Sequence, residues 1–217
     1  MVKPLQAAFG GGPADAILAR LDASGSQLTF STYLGGSGED YGNGVAVDRL
    51  GRVYLAGTTN STNFPIKNAI QPVFRGVYDG FVAKLNVTAS ALDYSTYLGG
   101  SGDDEVWAMS VDQPDRPWII GTTTSADFPL TTDALQSIAG GGLDGFITEL
   151  NLAGTALKFS TYFGGSNDDY MEGIFLDHNG GIYLTGTTLS SNFPTKNALQ
   201  PALGGSSDAF VMKIAER

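Results

Sequence analysis

The side chains in this chain that could do chemistry are mostly carboxylates, and they fall at regular places. Acidic residues gather at Gly38-Glu39-Asp40, at Gly102-Asp103-Asp104-Glu105 and at Asn167-Asp168-Asp169, with Glu172 close behind. Carboxylates on Gly-rich loops are the hard oxygen ligands that Ca2+ takes, so Asp40, Asp103, Asp104, Asp168 and Asp169 are the candidate metal ligands. None of the three loops has the Asp-x-Asp-x-Asp-Gly spacing of a dedicated calcium loop, and Gly-Asp pairs also make tight, soluble turns. The only histidine is His178, in the turn Asp177-His178-Asn179-Gly180, and there is no cysteine. Zinc coordination, thiol catalysis and a histidine-activated serine therefore lack their residues. Gly140-Gly141-Gly142 precedes an apolar run, not a helix N-terminus, so it does not read as a phosphate cradle. No catalytic residue and no resident cofactor is expected. Calcium is the one ion the acidic loops suggest.

The elements that carry these residues repeat. Ser31-Thr32-Tyr33-Leu34-Gly35-Gly36-Ser37 returns at Ser95 to Ser101 and, with Phe163 in place of Leu, at Ser160 to Ser166, at intervals of 64 and 65 residues. Asp15, Asp79, Asp144 and Asp208 keep the same period, each opening an apolar run. A fixed period of this length marks a supersecondary unit that buries its apolar faces against its neighbours. These four aspartates are expected to accept backbone N–H bonds at a turn. Asp48, Asp112 and Asp177, which end short apolar stretches, are expected to form turns.

Composition narrows the class. With 42% hydrophobic residues the chain is too apolar for disorder, and 30 Gly against 16% charged residues suit short strands and turns. A net charge of −10 argues against nucleic-acid binding, which needs a basic face. No apolar run is long enough to span a membrane. Without cysteine there is no disulfide framework, which leaves secretion open, since a large repeat domain builds its core without staples. Met1 to Gln6 lacks the apolar core of a signal peptide. Leu5-Gln6 instead aligns with Ile70-Gln71, Leu135-Gln136 and Leu199-Gln200, so the chain is expected to begin within a repeat.

One unit reads as follows. Gly44 to Asp48 and Val53 to Thr58, separated by a Gly-containing turn, make a hairpin, echoed by Trp107 to Asp112 with Trp118 to Thr122, and by Gly173 to Asp177 with Ile182 to Thr187. A long link follows with Phe64-Pro65, Phe128-Pro129 or Phe193-Pro194, and a short Asn/Asp-Ala-Ile/Leu-Gln segment that is expected to form one helical turn. The third strand is Gly80 to Leu85, and the fourth is Leu92 to Leu98, where residues alternate between two faces. Four strands per unit of about 65 residues match one blade of a β-propeller, with small residues such as Gly44 and Ala46 on the crowded first strand. The fold class expected is all-β, a β-propeller array of four-stranded blades, about 3.3 blades per chain. The units are a partial blade over 1–36, blades over 37–100 and 101–165, and a partial blade over 166–217.

The succession Tyr-Leu-Gly-Gly-Ser-Gly-(Glu/Asp)-Asp, Val-Ala-Val-Asp, Val-Tyr-Leu-Ala-Gly-Thr-Thr, Asn-Phe-Pro and Asp-Gly-Phe-Val-Ala-Lys-Leu resembles the bacterial SBBP repeat, a seven-bladed β-propeller repeat, over nearly the whole chain. The resemblance implies a propeller fold and a secreted or cell-surface setting, and it brings no catalytic residue. About three blades fall short of the four to eight of a closed ring, unless the incomplete first and last blades complete a four-bladed one. Neighbouring repeats of a longer parent chain, or further copies of this one, are the expected partners, joined by completion of partial blades. The function expected is a non-enzymatic structural or adhesive module. The alternatives are a propeller enzyme of the hydrolase or lactonase kind with Ca2+ at the channel mouth, and a carbohydrate-binding module using Tyr33, Tyr97 and Tyr162. Those tyrosines have a plainer use in packing between blades.

Overall fold

The computed structural model describes residues 1–112, 115–177 and 180–215. Thirteen strands run in chain order: β1 (Ala16–Leu21), β2 (Leu28–Leu34), β3 (Asp40–Val47), β4 (Val53–Thr59), β5 (Asp79–Leu85), β6 (Leu92–Leu98), β7 (Asp104–Val111), β8 (Pro117–Thr123), β9 (Asp144–Leu150), β10 (Leu157–Phe163), β11 (Asp169–Leu176), β12 (Gly181–Thr188) and β13 (Asp208–Ala215). They form four antiparallel meanders, β1-β2, β3-β4-β5-β6, β7-β8-β9-β10 and β11-β12-β13, and no sheet closes on itself. The turns at Gln113-Pro114 and His178-Asn179 lie outside the described residues.

Successive sheets pack face on face, with β7 lying against β3, β4 and β5, and β11 against β7, β8 and β9. Both faces of a middle sheet are therefore covered, which is why β4, β5, β8 and β9 are buried along their whole length. The alternation seen in the outer strands sorts side chains between two neighbours, not between core and solvent. Tyr94 and Leu98 enter a cluster with Val106, Met109 and Phe146 of the third sheet. Tyr97 joins Ala16 and Leu34 of the first. The small residue expected at the crowded first strand is there: a Cβ on Gly44 would lie 2.9 Å from the Met109 backbone nitrogen of the next first strand.

Two boundaries differ from the sequence reading. The first strands begin three or four residues early, at Asp40, Asp104 and Asp169, because they go on pairing with the second strand as far as Thr59, Thr123 and Thr188, and each aspartate also donates its own N–H to the preceding sheet's link (Ala14 O at 2.8 Å, Tyr78 O at 2.9 Å, Leu143 O at 2.7 Å). The link segments around Asn68 to Gln71 and Asp133 to Gln136 form no helix. They run along the outer edge of their own sheet, where Lys67 and Ser95 exchange both backbone hydrogen bonds and Gln71 O accepts from Tyr97 N. The outer strand's edge is thereby covered, which offsets the exposure of an edge strand.

Each first strand carries a bulge, between Gly42 and Gly44, Val106 and Ala108, and Met171 and Gly173. The residue opposite is Gly57, Gly121 or Gly186, where an added Cβ would sit 1.8–1.9 Å from a first-strand carbonyl oxygen. Only a residue without Cβ lets the bulged strand come this close. We expect Gly121→Ala to destabilise the protein by about 1–3 kcal/mol, as overpacking in a core does. Urea unfolding would measure it, and an unchanged midpoint would contradict the close approach.

Candidate functional site

The residues singled out as metal ligands divide into two kinds. Asp40, Asp104 and Asp169 are at most 1% exposed, and all three have the same partners. Asp104 Oδ2 accepts from Gly100 N at 2.7 Å and Ser125 Oγ at 2.8 Å, while Thr123 Oγ1 donates to Oδ1. Gly36, Ser61 and Thr59 surround Asp40 in this way, and Gly165, Ser190 and Thr188 surround Asp169. The threonine ends the second strand of the same sheet, the serine lies two residues beyond it, and the glycine lies two residues beyond the outer strand of the sheet before. Each carboxylate is thus an internal acceptor joining two sheets. Asp103 and Asp168 are half-buried at the same corners, where Asp168 Oδ1 accepts from Leu143 N at 3.0 Å. Among the described residues no three acidic or histidine side chains come together to hold a metal ion.

The Gly-Gly-Ser turn is latched a second time. Ser101 donates its N–H (2.8 Å) and hydroxyl (2.9 Å) to Asp127 Oδ1, and Asn63 and Asn192 do the same for Ser37 and Ser166. The Ser101 N–H and hydroxyl hold the Asp127 carboxyl below its ordinary range.

Asp79, Asp144, Asp15 and Asp208 do accept turn N–H groups, from Arg75 and Gly76, Gly140, Gly10, and Gly204. A glutamine missed by the sequence reading completes this corner. Gln71 donates to Asp79 Oδ2 (3.0 Å) and its Oε1 accepts from Gly99 N (3.1 Å), tying the link to the outer strand. Its period with Gln6, Gln136 and Gln200 was visible in the sequence, but no local propensity points to such a role. A Cβ on Gly99 would fall 2.7 Å from Asp104 Oδ2 and 2.9 Å from Asp79 Oδ1, so the two buried carboxylates share one backbone notch. Burial, with the neighbouring Asp104 charge adding to it, pushes Asp79 up to about 6 despite the Arg75 and Gly76 N–H groups that pull it down. Burial likewise raises Asp104 and Asp144.

Asp48, Asp112 and Asp177 form turns as expected, accepting from the N–H of Arg52, Arg116 and Gly181. The first two also pair with those arginine side chains, at 2.5 Å and 2.6 Å. Arg49 and Arg52 reach Asp115 at 3.3 Å and 3.4 Å, joining the turns of the second and third sheets. The last residues of three first strands, Val47-Asp48, Val111-Asp112 and Leu176-Asp177, line a small pocket of about 240 Å³ at these turns. His178, next to it in sequence, lies outside the described residues.

Tyr97 and Tyr162 are buried, each under a Phe-Pro link. Their hydroxyls donate to Ser61 O and Ser125 O at 2.7 Å, and Phe64 and Phe128 cover the rings at 6.2 Å between centroids. They present no open platform for a sugar. In the second and third sheets the outer strand lies between the third strand and the link. In the fourth sheet the third strand (β13) and the link (residues 189–207) are both in place, and between them runs a groove of about 790 Å³. Leu199 and Val211, both exposed, stand along it.

Residues 29–65 and 158–194 match the family model described as the SBBP beta-propeller repeat. These two stretches, about a third of the chain, are similar to that repeat. Each matched stretch runs from an outer strand through the next sheet's hairpin to its Phe-Pro, so one SBBP match holds both halves of a Gly-Gly-Ser latch. No curated protein matches the chain.

Two outcomes follow. Removing the buried hydroxyl with Thr123→Val leaves Asp104 Oδ1 without its donor, and we expect a loss of about 1–3 kcal/mol in chemical denaturation. For Asp79, the folded form holds its proton more tightly than the unfolded chain. Stability is therefore fullest below the unfolded value of 3.8 and is lost as pH rises through about 6. That displacement corresponds to about 3 kcal/mol. Asp79→Asn should flatten the fall in unfolding free energy between pH 4.5 and 7, and an unaltered slope would contradict the assignment.

Proposed function

We propose that this chain is a non-enzymatic β-propeller module of the extracellular space or cell surface, structural or adhesive in role, which assembles by completing partial blades. The observation that carries the reading is the groove beside β13, which has the walls of an outer-strand site without the strand. The edge of β1, the equivalent third strand in a sheet of two, is bare on its other side, where a complete unit has its second strand. Closed propellers hold four to eight blades, and the complete four-stranded sheets here are two. Ring closure therefore draws on neighbouring repeats or on further copies. The role of the carboxylates supports a scaffold: the candidate ligands Asp40, Asp104 and Asp169 spend their oxygens on joining sheets. Multi-angle light scattering should give a mass at least twice that of one chain at micromolar concentration, with rings or filaments in negative-stain images. A clean monomer at all concentrations would overturn self-assembly.

A further inference from the structure

The bulge in each first strand inserts one residue out of the regular alternation, and bulges are where a strand re-aims a side chain. The inserted residues are Asn43, Trp107 and Glu172, all exposed. Around them the framework is constant, with an aspartate opening the strand and the pair Gly57-Thr58, Gly121-Thr122 or Gly186-Thr187 opposite. The residue after the aspartate and the inserted residue instead change in kind from sheet to sheet: Tyr41 with Asn43, Glu105 with Trp107, Tyr170 with Glu172.

In the third sheet this pair meets on one face. Glu105 stands directly opposite Thr122 in the ladder, so the two side chains project on the same side. Trp107 Nε1 donates to Thr122 Oγ1 at 3.0 Å, which draws the indole across that side. The only polar atom of the indole is thus spent on a buried threonine, yet Trp107 is 44% exposed, so what it shows to solvent is ring. A ring pinned by its own N–H is a preformed platform. Beside it, Glu105 is half-buried and, among the described residues, has no hydrogen-bond donor and no cation. The carboxylates at the equivalent corners are engaged: Glu39 accepts from the Tyr78 hydroxyl at 2.5 Å and Glu172 from Thr187 Oγ1 at 3.2 Å. The ion pairs of the described residues lie at the other end of the sheets, on Asp48, Asp112, Asp115 and Glu149. Burial and the neighbouring Asp103 charge both raise the Glu105 carboxyl.

We infer that Trp107 and Glu105 form a binding site for an organic cation, an alkylammonium group that lies on the indole and takes the Glu105 carboxylate as its counter-charge. A cation is attracted to the face of an indole more than to any other side-chain ring. The charges of Glu105 and Asp103 favour it over a neutral sugar, which would stack on the same ring, and a net charge of −10 favours it at longer range. The site lies within the third sheet, whose four strands are all present. Small quaternary amines and lysine side chains both carry the group.

Titrating the full chain with choline and with Nα-acetyl-lysine amide, by tryptophan fluorescence and calorimetry, tests this. The other tryptophan, Trp118, is buried, so the change in emission reports Trp107. We expect saturable binding of at least one of the two, and the stronger names the source of the group. Glu105→Gln, which removes the charge and keeps the shape, should weaken binding about fivefold, and Trp107→Leu about tenfold or more, with Trp107→Phe in between. Neohexanol, the uncharged counterpart of choline, should not bind. Binding of neither cation, equal binding of neohexanol, or an unchanged affinity in Glu105→Gln would overturn the cation site. Saturable binding of methyl glucoside in place of the cations would make the ring a sugar platform and overturn it as well.

Discussion

A buried carboxylate at the head of each first strand holds one sheet to the next. Asp40, Asp104 and Asp169 each collect a glycine N–H from the preceding sheet and two hydroxyls from their own. A charge in such a place is costly unless every lone pair finds a donor. The Thr-x-Ser at the end of each second strand and the Gly-Gly that follows each outer strand satisfy that demand, and with it they set the distance between sheets. Glycine is required at the notch because Asp79 and Asp104 both press on Gly99. The repeated sequence motif therefore records the chemistry of a joint, and its acidic residues are part of the framework.

The architecture was legible in the residues to a large extent. The period, the hairpins and the thirteen strands follow from apolar runs punctuated by Gly and Asn, since strand identity depends on local pattern. What escaped notice depends on partners distant in sequence. Asp104 looks like a loop residue beside Gly102 because its burial comes from Ser125 and Thr123, about 20 residues on. The link around Asn68 to Gln71 has a helical composition, yet the outer strand offers it a ladder, and backbone pairing outweighs weak helix propensity over so few residues. The role of Gln71 is written in no short motif at all; only its recurrence with the period hinted at it.

The same geometry separates the residues that looked functional from those that hold the fold. Of the carboxylates proposed as ligands, Asp40, Asp104 and Asp169 are drawn into the interior, as are Tyr97 and Tyr162 of the tyrosines proposed as sugar platforms, and their polar atoms meet backbone groups and buried hydroxyls. What stays open, apart from the ring of Trp107, is backbone and apolar edge: the rim of β1 and the cleft beside β13.

Contiguity of the sheets along the chain has a mechanical corollary. Every meander consists of neighbouring segments, and the joints between meanders combine the apolar packing of facing sheets with a few polar contacts. Under tension applied at the two ends, the joints and ladders bear load in series, so extension proceeds one meander at a time. Each rupture frees the 64 or 65 residues of one period, a gain of roughly 200 Å in contour length. A tandem array of such units would lengthen stepwise under pull, dissipating work at each step while its remaining sheets stay folded.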